Sequence, residues 1–290
     1  MKVIPDSELI INADGSIYHL HLKPEHVADT IITVGDQTRV AEITKHFDSI
    51  QHHVQNREFL THVGMLGSKK ITVISTGIGT DNIDIVFNEL DALANIDFST
   101  RSVKSELRSL NIIRLGTSGA VSEEVPLDSI VLSEAGIGID SLMAYYCKVN
   151  TTEESALADA FRQHVQSELP ALMPYATMAD PTLLDRFSTM GKKGVTITAP
   201  GFYAPQGRQL RAVNQSAHLI PLINSFRHQH HRITNLEMET GGIYALGKTL
   251  GHRCLSVNAI LAHRILNKFS TAPQKIVDTM ILKALEILAS

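Results

Sequence analysis

Short runs of β-branched and other apolar residues alternate along the chain with stretches in which apolar positions recur at helical spacing. The apolar runs predict strands at residues 30–35, 71–76, 111–115, 129–134, 194–198, 233–236 and 254–260. The helical spacing predicts helices at residues 38–47, 82–95, 153–169, 181–190, 240–250 and 273–288. Such alternation is typical of an α/β fold in which helices flank a mostly parallel or mixed central sheet.

The organisation of the chain predicts one domain over residues 1–290. No stretch rich in Pro, Gly or Ser separates two parts, and there is no internal repeat or low-complexity segment. Residues 58–63 and 70–74 are expected to form a hairpin within the sheet. The charged stretch 99–106 lacks a clear period and is interpreted as a surface excursion.

The composition is that of an ordinary globular protein, with 43% hydrophobic and 19% charged residues. A net charge of −4 provides no basic surface for nucleic acid or for an acidic membrane. Pro5 and nearby acids make the first residues unlike a signal peptide, and no apolar run reaches membrane-spanning length. Two cysteines give no disulfide framework, so we expect a cytoplasmic protein.

The 14 histidines fall in clumps, one of which contains His228, His230 and His231. None of them forms the H-x-x-x-H spacing beside an acid that a helical zinc site requires. We therefore expect no metal site and interpret most of these histidines as exposed or interface side chains.

The most informative motif is Glu237-Met238-Glu239, which lies between a short apolar strand and a helical pattern that begins at Thr240. Unpaired backbone N–H groups point outward at the start of a helix. Carboxylates beside such N–H groups can bind the vicinal hydroxyls of a sugar. Acids at a helix start are also common because the helix macrodipole favours them. The motifs that accompany this one favour the sugar-binding interpretation.

Three arginines lie at the borders of predicted strands. Arg39 follows Gly35 after the first strand, Arg114 precedes a predicted turn rich in Gly, Ser and Thr at 116–120, and Arg57 leads into the hairpin. Ligands of open α/β sheets collect beyond the carboxyl ends of the strands. Guanidinium groups and backbone N–H groups at that edge suit an oxyanion such as phosphate.

Two other motifs have the wrong spacing for the sites they suggest. Gly77-Ile78-Gly79 follows a strand as a dinucleotide-binding motif would, but Asn82 occupies the place of the third glycine. Ser118 lies in Thr-Ser-Gly rather than in a G-x-S-x-G elbow, which argues against a serine hydrolase.

A loop rich in Pro and Gly follows the strand at 194–198 and carries Phe202, Tyr203, Gln206 and Arg208. An aromatic ring can stack on a planar base, a glutamine side chain both donates and accepts, and an arginine donates a pair of N–H groups. Together these side chains suit the O–C–N–H edge of uracil.

In this order the motifs resemble those of the nucleoside phosphorylase family, which comprises uridine phosphorylases and hexameric purine nucleoside phosphorylases. G-D-x-x-R, R-E-F, S-T-G-I-G, R-x-G-T-S-G-A, F-Y-x-P-Q-x-R and E-M-E occur in register from about Tyr18 to the final helix. The resemblance implies one α/β domain with a distorted, barrel-like sheet, assembled as a dimer and commonly as a hexamer, with active sites at the dimer interface. It also implies an N-terminal extension at 1–17 and an insertion at about 97–109.

The resemblance also assigns roles to individual residues. Phosphate would be bound by Gly35, Arg39, Arg114 and Thr117, with Arg57 contributed by the neighbouring subunit. The ribose would be bound by Glu237, Met238 and Glu239, with His19 contributed across the interface. The base would be recognised by Phe202, Gln206, Arg208 and Arg264. Of these residues, Arg114, Glu239, Gln206 and Arg208 would carry the catalysis.

The implied reaction is phosphorolysis of a pyrimidine nucleoside, with uridine expected as the substrate and phosphate as co-substrate without a further cofactor. The purine branch carries an Asp in the late strand, and none occurs between Arg253 and Ile265. Three alternatives stay open: a purine nucleoside phosphorylase, a nucleoside hydrolase of the same fold, and a non-catalytic nucleoside-binding protein. No nucleic acid or membrane partner is expected.

Overall fold

Strands and helices alternate along residues 3–290, which the computed structural model describes. The strands are β1 (Thr30–Val34), β2 (Ser49–Asn56), β3 (Phe59–Leu66), β4 (Lys69–Ser75), β5 (Ile96–Asp97), β6 (Ser102–Val103), β7 (Asn111–Ala120), β8 (Ile130–Gly138), β9 (Tyr175–Met178), β10 (Lys192–Thr198), β11 (Arg227–His228), β12 (His231–Glu237), β13 (Arg253–His263) and β14 (Lys268–Phe269). The α-helices are α1 (Gln37–Thr44), α2 (Thr80–Asn95), α3 (Thr152–Val165), α4 (Pro181–Arg186), α5 (Leu219–Ser225), α6 (Thr240–Leu250) and α7 (Pro273–Ala289).

Five strands close into a ring in the order β7, β13, β8, β10 and β12. The pairs β7–β13, β8–β10 and β10–β12 are parallel, whereas β8–β13 and β7–β12 are antiparallel. From β7 the sheet extends outward through β1, β4, β3 and β2, with β3 and β4 forming the predicted hairpin. The expectation of a mixed, barrel-like central sheet flanked by helices is confirmed.

The helices cover the sheet with two main apolar clusters. The larger cluster joins β1, β7 and β13 to α2, α6 and α7 and includes the fully buried Phe87. The second lies under α3 and α5, where the rings of Phe161 and Phe226 meet edge to face with centroids 5.3 Å apart. Each such aromatic side chain contributes roughly 1.5–3 kcal/mol by burial. None of the helices within residues 3–290 combines the length and apolar character needed to cross a lipid bilayer.

Helix α6 lies unusually close to the ring. A Cβ added at Gly241 would lie 3.0 Å from the backbone nitrogen of Gly138, and one added at Gly136 would lie 3.0 Å from the Cα of Gly241. The small residues that open this helix therefore allow its backbone to pack against β8, as their spacing predicted. This contact fixes the first turn of α6, and with it the end of β12.

Some elements differ from the prediction. The turn predicted at 116–120 is wrong, because β7 continues to Ala120 with β13 on one side and β12 on the other. The predicted helix at 181–190 ends as an α-helix at Arg186 and is followed by a 3₁₀ turn at Ser188–Met190. The elements that were not predicted are strands β2 and β9, the two-residue strands β5, β6, β11 and β14, and helix α5.

Arg101 connects the N-terminal residues to the segment 97–109. Its Nε donates to the carbonyl of Ile4 at 2.9 Å, its Nη2 donates to the carbonyl of Pro5 at 3.1 Å, and Leu9 supplies a third acceptor. Within the segment, β5 and β6 form a short antiparallel hairpin. The two segments thus pack on each other at the surface; their interpretation as an extension and an insertion stays a prediction.

Candidate active site

Four adjacent strands bring most of the candidate residues together. β1 pairs with β7, β7 with β12, and β12 with β10. Because β1, β12 and β10 present their carboxyl ends to the same region, the loops that follow them meet around one cavity of about 960 Å³. The predicted site residues that line this cavity are Gly35, Arg39, Arg114, Thr117, Phe202, Gln206, Arg208, Glu237, Met238 and Glu239.

Glu237 holds the corner between β12 and α6. Its carboxylate accepts the backbone N–H of Glu239 at 2.9 Å, that of Thr240 at 3.0 Å, and the hydroxyl of Thr198 at 2.6 Å. The N–H groups at the start of α6 are therefore occupied by Glu237, and the expectation that they stay free to bind a sugar is wrong. Glu237 fixes the backbone on which Met238 and Glu239 are carried.

Glu239 is buried, and its two oxygens have different partners. Oε1 accepts the N–H of Gly79 at 2.8 Å, and Oε2 accepts Nη2 of Arg114 at 2.6 Å. Burial raises the pKa of Glu239; the attraction of Arg114 opposes this shift, while the charge of Glu237 adds to it. The fixed carboxylate lies on the cavity wall, where it can accept hydrogen bonds from hydroxyl groups.

Arg114 is a buried cation between two acids. Its Nη2 lies 2.6 Å from Glu239 Oε2 and 3.1 Å from Glu237 Oε2, while Nη1 donates to Asn258 Oδ1 at 2.8 Å. Burial alone would lower the pKa of Arg114, but the two carboxylates outweigh it and raise the pKa. Most of the charge of Arg114 is therefore balanced within the protein.

Gly116 makes room for this arrangement. The side chain of Arg114 extends along β7 toward position 116, so a Cβ there would lie 1.9 Å from Nη1 of Arg114. No side chain can occupy that position unless the guanidinium moves. The glycine that sequence analysis interpreted as part of a turn is instead required by the packing of Arg114.

Arg39 has a different environment. It is half-buried, its Nη1 lies 3.4 Å from the carbonyl of Leu115, and its buried Nε has no hydrogen-bond partner. Among residues 3–290 it forms no ion pair with a carboxylate. Burial and, after it, the charge of nearby Arg114 lower the pKa of Arg39, and the charges of Asp36 and Glu42 offset this shift only in part. A guanidinium that has no carboxylate within ion-pair distance among residues 3–290, beside Gly35 and Thr117 on the cavity wall, is suited to bind an anion.

The loop after β10 forms another part of the wall. Arg208 Nη1 donates to the carbonyl of Phe202 at 2.8 Å and to Gln206 Oε1 at 2.5 Å, and its guanidinium carbon lies 3.7 Å from the centre of the Phe202 ring. Burial, together with the charge of Arg264, lowers the pKa of Arg208 to about 10. Arg208 therefore stays cationic at neutral pH and faces the cavity beside the buried Gln206.

Arg264 lies behind this loop and does not line the cavity. Its Nη1 donates to the backbone carbonyl of Gln206 at 2.8 Å. In this structure Arg264 therefore supports the loop through the backbone of Gln206 and does not reach the cavity itself.

His19 and Arg57 lie outside the cavity, close to each other. His19 Nδ1 is 2.6 Å from Glu89 Oε1, and its carbonyl accepts Nδ2 of Asn56 at 2.8 Å. Arg57 is exposed at the β2–β3 turn, with its guanidinium carbon 5.7 Å from the ring centre of Tyr18. They share a surface from which both could reach a neighbouring subunit; their contribution to a partner's site stays a prediction.

Several supporting residues were not identified from the sequence. Gly79 lies in the segment that only partly matches a dinucleotide-binding motif; its N–H donates to Glu239, and its φ of 96° suits glycine. Thr198 and Asn258 bind Glu237 and Arg114. Thr198 and Asn258 could have been identified from the sequence, because each is a polar residue within an apolar strand and a buried polar side chain needs a hydrogen-bond partner.

The sequence and the structure of the chain are both similar to those of known proteins. Residues 29–284 match the model of the phosphorylase superfamily. The chain is 28% identical over 279 residues to the uridine phosphorylase of Thermococcus kodakarensis, covering 95% of this chain and 88% of that protein. It is 29% identical over 221 residues to the DeoD-type purine nucleoside phosphorylase of Hahella chejuensis, covering 70% and 86%. Among solved structures, a Trypanosoma brucei nucleoside phosphorylase, described as showing uridine phosphorylase activity, matches with a TM-score of 0.86 at 29% identity, over 96% of this chain and 99% of that one.

Proposed function

The chain belongs to the phosphorylase superfamily, and from its site we propose that it is a uridine phosphorylase. Such an enzyme transfers the pentosyl group of uridine to inorganic phosphate, giving uracil and ribose 1-phosphate. Phosphate is the co-substrate in this proposal, and no further cofactor is needed because positioning and electrostatics can supply the catalysis.

The observation that carries the proposal is the order of charges along the strands. Arg39 follows β1, Arg114 lies on β7, Glu239 follows β12, and Arg208 follows β10. Across the site the charges are therefore positive at Arg39 and Arg114, negative at Glu239, and positive again at Arg208. In phosphorolysis the attacking phosphate is anionic, the sugar carbon becomes cationic, and the base leaves as an anion. Fixed charges of opposite sign at each position stabilise this transition state.

Phosphate would bind at the Arg39 end of the cavity. Arg39 lines this end of the cavity, and its positive charge would be balanced by the phosphate. Gly35 and Thr117 lie on the same wall and would add hydrogen bonds. Arg114 links this end to the carboxylate pair, so it would contact phosphate while it stays bound to Glu239.

The ribose would lie against the corner between β12 and α6. Glu239 would accept hydrogen bonds from the sugar hydroxyls, and the backbone of Met238 would border the sugar. Glu237 would act through the backbone that it holds rather than by contact. A carboxylate beside the sugar also favours positive charge at C1′ as the bond to the base breaks.

The base would be recognised by the loop after β10. Arg208 would stabilise the negative charge on the departing uracil, and the Gln206 side chain would bind the O–C–N–H edge. Phe202, which stacks on Arg208, would cover the base. Arg264 would keep Gln206 in place through its carbonyl.

The proposed assembly is at least a dimer, with a hexamer as the expected form. His19 and Arg57 do not line the cavity of their own chain, yet Gln37, at the start of α1, donates to the carbonyl of Arg57 at 2.9 Å. This bond holds the β2–β3 turn at the edge of the phosphate region. From there the side chain of Arg57 would extend into the site of a second copy of the chain. We also propose a cytoplasmic role in the recovery of bases and sugars from nucleosides.

The test is a panel of nucleosides assayed for base release by chromatography, with and without phosphate. Uridine with phosphate should give uracil and ribose 1-phosphate in equal amounts. Faster release from inosine would favour a purine nucleoside phosphorylase, and equal release without phosphate would favour a hydrolase. Binding of uridine without any release would indicate a nucleoside-binding protein.

A further inference from the structure

Three potential metal ligands meet outside the active-site cavity. Glu134 comes from β8, His231 is the first residue of β12, and His230 lies in the turn between β11 and β12. These residues contribute one potential ligand atom each, and the three atoms lie within 4.8 Å of one another. These residues are far apart in the sequence or directly adjacent, so they produce none of the spacings by which a zinc site is identified from sequence.

His231 is oriented as metal-binding histidines are. Its side chain is fully buried, with Nδ1 3.3 Å from Glu134 Oε1 and Nε2 3.1 Å from Glu153 Oε1. Two ligand atoms bound at about 2.0–2.1 Å to a tetrahedral Zn²⁺ lie roughly 3.3 Å apart. On the other side of the ring, a carboxylate that receives the N–H is the usual support of a zinc-bound histidine.

We propose that Glu134, His230 and His231 bind one Zn²⁺, with Glu153 as a positioning residue for His231. Two imidazoles and one carboxylate suit Zn²⁺, and a water molecule would complete a tetrahedral set. The ion would tie the β11–β12 turn to β8 and, through Glu153, to α3. This site departs from the expectation of no metal and does not depend on the proposed phosphorylase activity.

The consequence would be structural. β12 runs from His231 directly to Glu237, so an ion at its beginning would restrain the strand that ends at the active-site corner. Because a ligand that binds only the folded state stabilises it, Zn²⁺ should raise the melting temperature of the chain.

The main test measures Zn²⁺ binding by isothermal titration calorimetry in chelator-treated protein. Wild-type protein should bind one Zn²⁺ per chain and melt at a higher temperature with it. His230→Ala is the primary variant, because His230 is exposed and its loss does not threaten folding. It should weaken binding by more than about 100-fold and abolish the melting shift, since loss of a direct ligand should exceed the roughly 10- to 100-fold effect of a supporting residue.

His228→Ala is the matched control, because His228 lies in the same hairpin but outside the cluster. It should bind Zn²⁺ as wild type does. Glu153→Gln should weaken binding by roughly 10- to 100-fold without changing the stoichiometry. With Co²⁺ in place of Zn²⁺, wild type but not His230→Ala should show the visible absorption of a tetrahedral site.

The proposal is overturned if wild-type protein shows no saturable Zn²⁺ binding, or if His230→Ala binds as wild type does. Equal losses in His228→Ala and His230→Ala would also overturn it, because they would indicate unspecific binding to a histidine-rich hairpin. Wild-type affinity in Glu153→Gln would refute the positioning role of Glu153.

Discussion

Replacement of Arg39 by alanine should separate activity from stability. Arg114 is balanced by Glu237 and Glu239, whereas Arg39 has no carboxylate partner within residues 3–290 and keeps a buried Nε without a hydrogen bond there. Without a ligand, the charge of Arg39 therefore lowers the stability of the folded protein rather than raising it. Its benefit must come from an anionic ligand, so Arg39→Ala should impair phosphorolysis and leave the fold intact.

The magnitude follows from the environment of the side chain. Loss of one partner from a buried, hydrogen-bonded charge pair costs about 2–5 kcal/mol. We take the lower part of that range, about 2–3 kcal/mol, because Arg39 is only half-buried. At 1.36 kcal/mol for each factor of ten, kcat/KM for phosphate should fall roughly 30- to 160-fold. The free energy of unfolding should change by less than about 1 kcal/mol, because no internal ion pair is lost.

The assay is initial-rate uracil release at varied phosphate and saturating uridine, paired with thermal unfolding. Arg253→Ala is the matched control. Arg253 is exposed at the beginning of β13 and does not line the cavity, so its removal should leave both measurements unchanged. If Arg39→Ala keeps wild-type kcat/KM for phosphate, or unfolds several degrees earlier than wild type, the assignment of Arg39 as the unbalanced anion ligand is refuted.

Three further predictions concern the other parts of the site. Arg114→Ala should lose activity and about 3–5 kcal/mol of stability, because two buried carboxylates are left without their cation. Gly116→Ala should also lose activity, because the added methyl group would displace the guanidinium of Arg114. Wild-type rates in either variant would contradict the proposed role of the Arg114 guanidinium. Uridine should exceed inosine in kcat/KM by up to ~10⁴-fold, and Gln206→Ala should shrink the ratio; an unchanged ratio would exclude Gln206 from base selection. Inactive Arg57→Ala and Glu239→Ala chains should regain activity when co-expressed, and no recovery would argue against a shared site.

Helix α6 was predicted well from its local pattern, whereas strand β2 and the end of β7 were not, because they depend on pairing with other strands. Helix α6 begins and ends at the predicted residues, because its small and apolar positions carry the helical spacing. β2 was missed because Ser49–Asn56 is largely polar and mostly exposed, so its pairing with β3 defines it. The continuation of β7 to Ala120 depends on β12, more than a hundred residues later in the chain.

The site followed the same division. Some of the cavity-lining residues could be named from motifs, because Arg39, Arg114 and Glu239 each belong to one, whereas Leu261, Ala262 and Phe269 belong to none. Their pairing was not available, since the bonds from Arg114 to Glu239 and from Gly79 to Glu239 span 125 and 160 positions. The motifs therefore indicated several of the side chains that line the cavity, but not that Arg114 is paired with two carboxylates while Arg39 is paired with none among residues 3–290.

That difference between the two arginines bears on the choice between a phosphorylase and a hydrolase. A hydrolase delivers a neutral water molecule to the sugar. Water can accept a hydrogen bond from the guanidinium of Arg39, but it supplies no negative charge to balance that cation. Desolvation and the neighbouring charge of Arg114 both disfavour the cation at position 39, as the lowered pKa of Arg39 reflects. A phosphate anion offsets both effects at once, because it supplies opposite charge and accepts charge-assisted hydrogen bonds from the guanidinium. Arg114, already paired with Glu239, would be retained in either kind of enzyme; Arg39 is the residue whose presence an anionic co-substrate explains.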